Sequence, residues 1–261
     1  MKTALPVRQL GFPSLDKRWK NGTERFVVPA NVFDPTRYRV DTVSHRDARA
    51  MVLKEHYSGS WVAARFTFGM YCDRELVGVA AFSVPMSQAV LRAHLAVEPH
   101  EGIELGRFVM TPEVGFNGES FFLARALRYL KQADSKIQKV LSFADPLERR
   151  NTLSGELTKA AHHGCIYKAT NAERLGRSSP RWLHVLPNGT VVSPRTLSKI
   201  RNEEQGRNYA EALLTRGGID PRRPFESGRA WLDRTVPTML RVHHPGNYAF
   251  GFTLRDRRPA A

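Results

Sequence analysis

Cysteine is scarce in this 261-residue chain: there are two, Cys72 and Cys165, and no Cys-x-x-Cys pair. The ligand spacing of a structural zinc site is therefore missing, and so few thiols point to a reducing compartment. No apolar run reaches the roughly 18 residues of a membrane span. Met1-Lys2-Thr3 does not lead into the apolar core of a signal peptide. The phosphate-binding Walker loop, the Gly-x-Ser-x-Gly nucleophile elbow and the dinucleotide Gly-x-Gly-x-x-Gly turn are all absent. These absences set aside several large enzyme classes. Acidic residues are also short, with 25 Asp and Glu against 40 Lys and Arg, a net charge of +15.

Such an excess attracts polyanions, and nucleic acid is the commonest of these. From residue 171 onward there are 16 Lys and Arg against 8 Asp and Glu, and every cation except Lys199 is an arginine. Arginine holds phosphates with two parallel hydrogen bonds and stacks on bases. The alternative is a solvated cationic surface with no ligand.

Residues 1–40 are rich in Pro, Lys and Arg without periodicity and are expected to be an arm on the surface. Ser44 opens a capping-box-like helix start running to about Glu55. Alternating apolar residues over 62–70 and 76–84, with a turn at Cys72–Glu75, predict a long antiparallel hairpin. A strand follows at 105–111, then a helix whose Leu123, Ala126, Leu127 and Leu130 share one face. Val140–Ala144 predicts a short buried strand, 151–163 a helix or loop, and Gly164–Ala169 another strand. An Asn188-Gly189 turn joins two further strands, and Ser193-Pro194 opens a helical segment closing at Gly217-Gly218. This order fits an α/β fold, a mixed sheet with helices on its faces. Its expected parts are the arm (1–40), a catalytic core (41–192) and a basic C-terminal extension packed on the core (193–261).

Two places in this layout could carry chemistry. Arg107 lies mid-strand beside Phe108, followed by Asn117-Gly118-Glu119-Ser120 at the start of a helix. A guanidinium, a Gly-containing turn and an open helix N-terminus together suit an anion or a developing negative charge. The plainer reading pairs Arg107 with Glu104 or Glu119 and makes Asn117 and Ser120 ordinary caps. Asp145-Pro146 ends the Val140 strand, where carboxylates of open α/β sheets commonly face a ligand. A carboxylate there could take a proton from an exocyclic amine, although a helix cap would use it equally. His56, Tyr57 and Tyr167 are hydrogen-bonding rings near turns and strand ends. The adjacent pairs His162-His163 and His243-His244 would point to opposite faces of a strand. No metal site is expected from ligand spacing.

The blocks Glu104-Leu-Gly-Arg-Phe-Val, Asn117-Gly-Glu-Ser-Phe-Phe-Leu-Ala-Arg-Ala-Leu, Ser142-Phe-Ala-Asp-Pro and Gly164-Cys-Ile-Tyr-Lys-Ala-Thr-Asn resemble the Mom DNA-modification proteins of Mu-like phages. His56-Tyr57-Ser58 and Val185-Leu-Pro-Asn-Gly-Thr-Val fit as well, so the resemblance covers roughly 40 to 215. It implies a fold related to the Gcn5-type N-acetyltransferases. It also implies conversion of adenine in double-stranded phage DNA to N6-carbamoylmethyladenine in the host bacterial cytoplasm, a protection against restriction. The functional positions it implies are His56, Tyr57, Arg107, Ser120, Asp145 and Tyr167, with Tyr71 a weaker equivalent. Asn117, Gly118 and Phe108 join Ser120 as the expected donor-binding turn. Acetyl-CoA, a related acyl or glycyl donor, and iron enter as candidate cofactors. Pro112–Ser120 does not reproduce the pyrophosphate-loop pattern of ordinary acetyltransferases. An acetyltransferase acting on a protein or small amine, and a non-catalytic DNA-binding protein, stand as the other readings.

Overall fold

The computed structural model describes residues 16–20, 23–27, 33–115 and 117–255. Strands β1 (Asp16–Lys20) and β2 (Thr23–Val27) pair antiparallel, so the expected arm contains a hairpin. Its end also enters the main sheet as β3 (Tyr38–Thr42). Helix α1 (His45–Glu55) begins at the predicted cap, where the Asp47 N–H donates to Ser44 Oγ at 3.1 Å. The expected hairpin is β4 (Ala64–Cys72) and β5 (Glu75–Ser83). Asp73 and Arg74 have φ of 47° and 76°, the paired left-handed residues of a turn that matches strand twist.

The short helix α2 (Ala89–Leu95) precedes β6 (Gly102–Met110), α3 (Gly118–Ala133) and β7 (Lys139–Ala144). The 149–163 segment carries only a small hairpin, β8 (Arg149–Arg150) with β9 (Leu157–Lys159). Gly164–Ala169 is not the expected strand: Cys165–Ala169 forms a short helix, α4. Ile166 and Tyr167 favour strands by propensity, but packing overrides it. Gly164 turns at φ 72°, where a Cβ would stand 2.3 Å from the Phe250 ring. The helical turn then sets Tyr167 against Phe250 and Phe252, with ring centroids 5.3 and 6.1 Å away.

The chain continues through β10 (Glu173–Arg177), β11 (Arg181–Val185), β12 (Val191–Val192), α5 (Pro194–Arg201), α6 (Arg207–Arg216), α7 (Gly228–Thr235), β13 (Leu240–His244) and β14 (Tyr248–Thr253). The central sheet runs β10-β14-β7-β6-β5-β4-β3. This is the mixed α/β sheet flanked by helices that the sequence predicts. Strand β14 lies within it, between β10 and β7, so the segment expected as a basic extension packed on the core also supplies a strand of the central sheet. The reason is compositional: Ala249, Phe250 and Phe252 are apolar and fully buried or nearly so, and burying them stabilises the sheet more than a surface placement could.

Phe122, Leu123, Ala126 and Leu130 of α3 fill one face of the sheet. Ala48, Met51 and Val52 of α1 cover the other beside Val79 and Val109, while α2 packs Leu91 and Leu95 on Leu141 and Ala249. A second core joins α5, α6 and α7 to β12 through Leu197, Ile200, Leu214, Trp231 and Leu232. Here Gly228 lets α7 meet α5, since a Cβ would lie 2.2 Å from the Ile200 carbonyl oxygen. Gly228→Ala is expected to lower stability by about 1–3 kcal/mol through overpacking. Urea denaturation measures this, and an unchanged midpoint would contradict so close an approach.

Candidate active site

Strands β6 and β7 are the one parallel pair of the central sheet. Their ladder covers only Gly102–Lys139, Ile103–Val140 and Glu104–Leu141. Beyond these rows β6 runs on to Met110 and β7 to Ala144 without pairing to each other, which opens a crevice between them. A bulge in the β5–β6 ladder coincides with the opening, where Phe82 pairs with Leu105 and Ala81 with Arg107. The unpaired residue is Gly106, and a Cβ there would meet Ser83 Oγ at 2.4 Å. The bulge sets Arg107 and Val109 on the α1 side of the sheet, and Phe108, stacked on Phe122, on the α3 side.

Arg107 does not make the expected ion pair. Its Nε donates to the Ser60 carbonyl at 2.8 Å, Nη2 to Ser60 Oγ at 2.8 Å and Nη1 to the Gly106 carbonyl at 2.6 Å. A guanidinium has five N–H donors, so two remain to face a ligand. The anchor belongs to a relay that starts at the C-terminus of α1. His56 Nδ1 accepts the Ser58 N–H at 3.1 Å and meets Ser58 Oγ at 2.8 Å, and Ser60 Oγ donates to Ser58 Oγ at 3.3 Å. An Nδ1 that accepts leaves the proton of the neutral ring on Nε2. Burial, then the charges of Arg107 and His162, lower the His56 pKa to about 3, so the ring is neutral at physiological pH. Tyr57 lies against His56 with centroids 4.3 Å apart. Burial, then Asp145, raise its pKa.

Asp145 follows β7 and is held from four directions. Oδ1 accepts the Leu147 N–H at 3.0 Å and lies 3.0 Å from His244 Nε2. Oδ2 accepts from Arg149 Nη1 at 3.0 Å and stands 3.4 Å from Lys159 Nζ. His244 Nδ1 accepts the Gly246 N–H at 3.0 Å, which makes Nε2–H the donor to Asp145 in the neutral ring. Burial alone would raise the Asp145 pKa; Lys159, His244, Arg149 and Leu147 outweigh it and hold the carboxyl below its ordinary range. Lys159 is 3% exposed and also donates to the carbonyls of Asp145, Leu147 and Ala160 at 2.7–2.9 Å. Burial pulls its pKa down to about 8, with Asp145 opposing. The Asp145–Leu147 bond is the capping-type turn of the plainer reading, yet the other three partners exceed what a cap requires.

Tyr167 closes the crevice floor. It is buried, and burial raises its pKa strongly, with Ser142 opposing. Its charge environment includes Tyr57, Glu104 and Arg107. Glu104 is half-buried; burial raises its pKa and Arg107 opposes this. His162 packs edge-on to Tyr167 at 5.4 Å, and burial followed by Lys159 lowers its pKa to about 4. Thus His56, Tyr57, Arg107, Asp145 and Tyr167 come together, with Lys159, His162 and His244 added. Tyr71 lies elsewhere, on β4 under Arg39.

Ser120, Asn117 and Gly118 form the start of α3, on the face opposite to the Arg107 side chain. Asn117 is not a side-chain cap: it is left-handed, at φ 69°, and makes no capping bond with its side chain. Instead its carbonyl accepts from Ser120 Oγ at 3.0 Å and from the Phe121 N–H at 2.9 Å. Gly118 is close-packed, since a Cβ would lie 2.3 Å from Val114 Cγ1. Glu119 adds a carboxylate to the first turn, which opposes a pyrophosphate. The loop of a conventional CoA site is therefore not reproduced by this turn. Nor do the residues fit iron. Among the described residues no group of three or more His, Cys, Asp or Glu is placed to hold a metal, and Asp145 and both His244 nitrogens already have hydrogen-bond partners.

Lys159, Arg149 and Ser60 carried no sequence signal, because a loop lysine, a loop arginine and a turn serine are common. His244 had one. The expected alternation of adjacent histidines holds, with His244 buried and His243 exposed. The two depressed histidines also set a pH dependence. Below the ordinary value of 6.5, the unfolded chain takes up protons that His56 and His162 refuse in the fold, so stability falls from about pH 6.5 toward 4. By pH 4 the loss is about 3 kcal/mol per ring. Urea denaturation at pH 7 and 4.5 should show a smaller acid loss in His56→Asn/His162→Asn than in the parent; equal losses would contradict neutral, buried rings.

The Mom protein family model matches residues 37–224, a span that holds every crevice residue above except His244. Over 140 residues the chain is 26% identical to the methylcarbamoylase Mom of Escherichia phage Mu, covering 53% of this chain and 53% of that protein. The chain thus spans about half the length of this curated relative. Among solved structures it is similar to an N-acyl amino acid synthase from uncultured soil microbes (16% identity, TM-score 0.37, 59% of this chain and 85% of the other). It is also similar to spermidine N-acetyltransferase from Vibrio cholerae (11% identity, TM-score 0.35, 54% and 82%). Scores at this level add nothing to the topology described above. The family match, by contrast, covers well over half of the sequence, and the chain belongs to the Mom protein family.

Proposed function

We propose that this protein is a phage DNA-modification transferase that places a carbamoylmethyl group on the N6 amine of adenine in double-stranded DNA, acting in the host cytoplasm to protect phage DNA from restriction. The observation that carries this reading is the convergence of His56, Tyr57, Arg107, Asp145 and Tyr167 on one crevice, all inside the family-matched span. Asp145 is 17% exposed and Tyr167 is buried, so a base would have to leave the duplex stack to reach them.

In this reading the N6 amine displaces a leaving group from the methylene carbon of an activated carbamoylmethyl donor. One N–C bond forms, the bond from carbon to the leaving group breaks, and one N6 proton is lost. The amine is a poor nucleophile because its lone pair is delocalised into the ring, so an acceptor on one N–H assists it. Asp145 is that acceptor. Its lone pairs are all engaged in the structure, and Arg149, the most exposed of its side-chain partners, gives way to the incoming N6–H. Lys159 and His244 keep the carboxylate ionised and oriented. The two spare Arg107 donors hold the negative charge that grows on the leaving group, and Tyr57 and Tyr167 position the base.

The test is mass spectrometry of nucleosides from DNA incubated or co-expressed with the protein. Modified deoxyadenosine with the mass increment of a carbamoylmethyl group is expected, and its absence across activated carbamoylmethyl, glycyl and acyl donors would overturn the assignment. Arg107→Ala and Asp145→Asn are expected to lower modification at least a hundredfold. Asn is chosen over Ala because its amide oxygen still accepts from the surrounding donors and fills the same space; either change removes the counter-ion of buried Lys159 and costs about 3–5 kcal/mol of stability, so folding is checked by urea denaturation alongside. An acetylated product on a protein or small amine, with unmodified DNA, would favour the ordinary acetyltransferase instead.

A further inference from the structure

The DNA reading leaves open which surface holds the duplex, and abundance of arginine alone does not choose one. In the α5–α7 region many arginines are already neutralised. Arg195 pairs with Glu204, Arg207 with Glu203, Arg222 with Glu203 and Glu211, and Arg234 with Glu226. A guanidinium bound to a carboxylate has little left to give a phosphate.

The two-stranded connections β10–β11 and β13–β14 behave differently. Arg174, Arg177 and Arg241 form no ion pair among the described residues; they lie on aromatic rings instead. Arg174 and Arg177 are 4.5 and 4.6 Å from the Tyr248 centroid, and Arg177 Nη2 donates to Tyr248 Oη at 3.0 Å. Arg241 lies 4.4 Å over Trp182, which also meets His243 edge-on at 5.0 Å. Trp182 is itself 53% exposed. Lying on a ring orders a guanidinium without an opposing charge, and apart from the one Arg177 N–H given to Tyr248 the N–H groups stay able to donate.

Their placement is as informative as their chemistry. Tyr248 pairs with Ala144, the residue before Asp145. His243 pairs with Trp182 and directly precedes His244, the Asp145 partner. One cluster therefore borders the end of β7, and the other lies behind the ribbon that holds Asp145. Successive strand residues point to opposite faces, so the Trp182 cluster lies on the face of the β11–β13 ribbon opposite to the one that presents His244 to Asp145.

We infer that Arg174, Arg177 and Arg241, held on Tyr248 and Trp182, form the surface that grips the DNA backbone on both sides of the target base. This rests on the DNA-modification reading above. The measurement is fluorescence anisotropy of a labelled duplex titrated with the full chain across a series of salt concentrations. Arg177→Ala/Arg241→Ala is expected to weaken binding about tenfold or more and to reduce the slope of log K against log salt by about 2, close to 0.9 per lost phosphate contact. Arg177→Lys/Arg241→Lys should recover most of the slope, because the charge returns without the stacked plane. Arg195→Ala/Arg207→Ala, which removes ion-paired arginines, should change the slope little. If the wild type binds and modifies DNA while the Arg177/Arg241 variants match it, the surface is wrong and the function stands. If the wild type itself neither binds nor modifies duplex DNA, both fall.

Discussion

Everything at the crevice depends on how a buried carboxylate is kept ionised. Asp145 draws four donors from three separate stretches of chain: the Leu147 amide and Arg149 just after it, Lys159 on β9 and His244 on β13. Each would be costly alone. An unpaired buried Lys159 or Asp145 would carry a large desolvation penalty, and together they cancel most of it. The small β8–β9 hairpin has almost no apolar core of its own, so this polar knot is what fixes it beside the sheet. A chemically useful group and a structural joint are here the same atoms, so substitutions at Asp145 disturb fold and activity at once.

Much of the layout was legible in the sequence, for physical reasons that differ from element to element. Ser44 announced α1 because a capping oxygen must precede a helix whose first amides lack partners. The β4–β5 hairpin showed itself by period-two alternation. What failed was local information overridden by distant packing. Cys165–Ala169 has strand-forming residues but is wound into a helical turn by the Phe250 ring, which lies over eighty positions away in sequence. In the same way, β14 hid in a segment that looked like a basic tail, because its few apolar residues are flanked by arginine.

At the site, Arg107, Asp145, His56, Tyr57 and Tyr167 stood inside distinctive blocks and converge in space. Their supporting partners did not announce themselves. Ser60 and Lys159 matter only through where the loops that carry them return, and no spacing rule encodes that. The net charge indicated a polyanion but not a surface. Choosing one required knowing which arginines were already satisfied, a property of the folded molecule.

The bond between His244 and Asp145 joins residues 99 positions apart, and β14, next to β7, is the last strand of the described chain. A nascent chain emerging from the ribosome therefore carries His56, Arg107 and Tyr167 long before it can seat Asp145 or close the sheet. Long-range closures of this kind come late in folding. The crevice is thus assembled only after β13 and β14 have been made, which separates the appearance of its first residues from the appearance of a competent site.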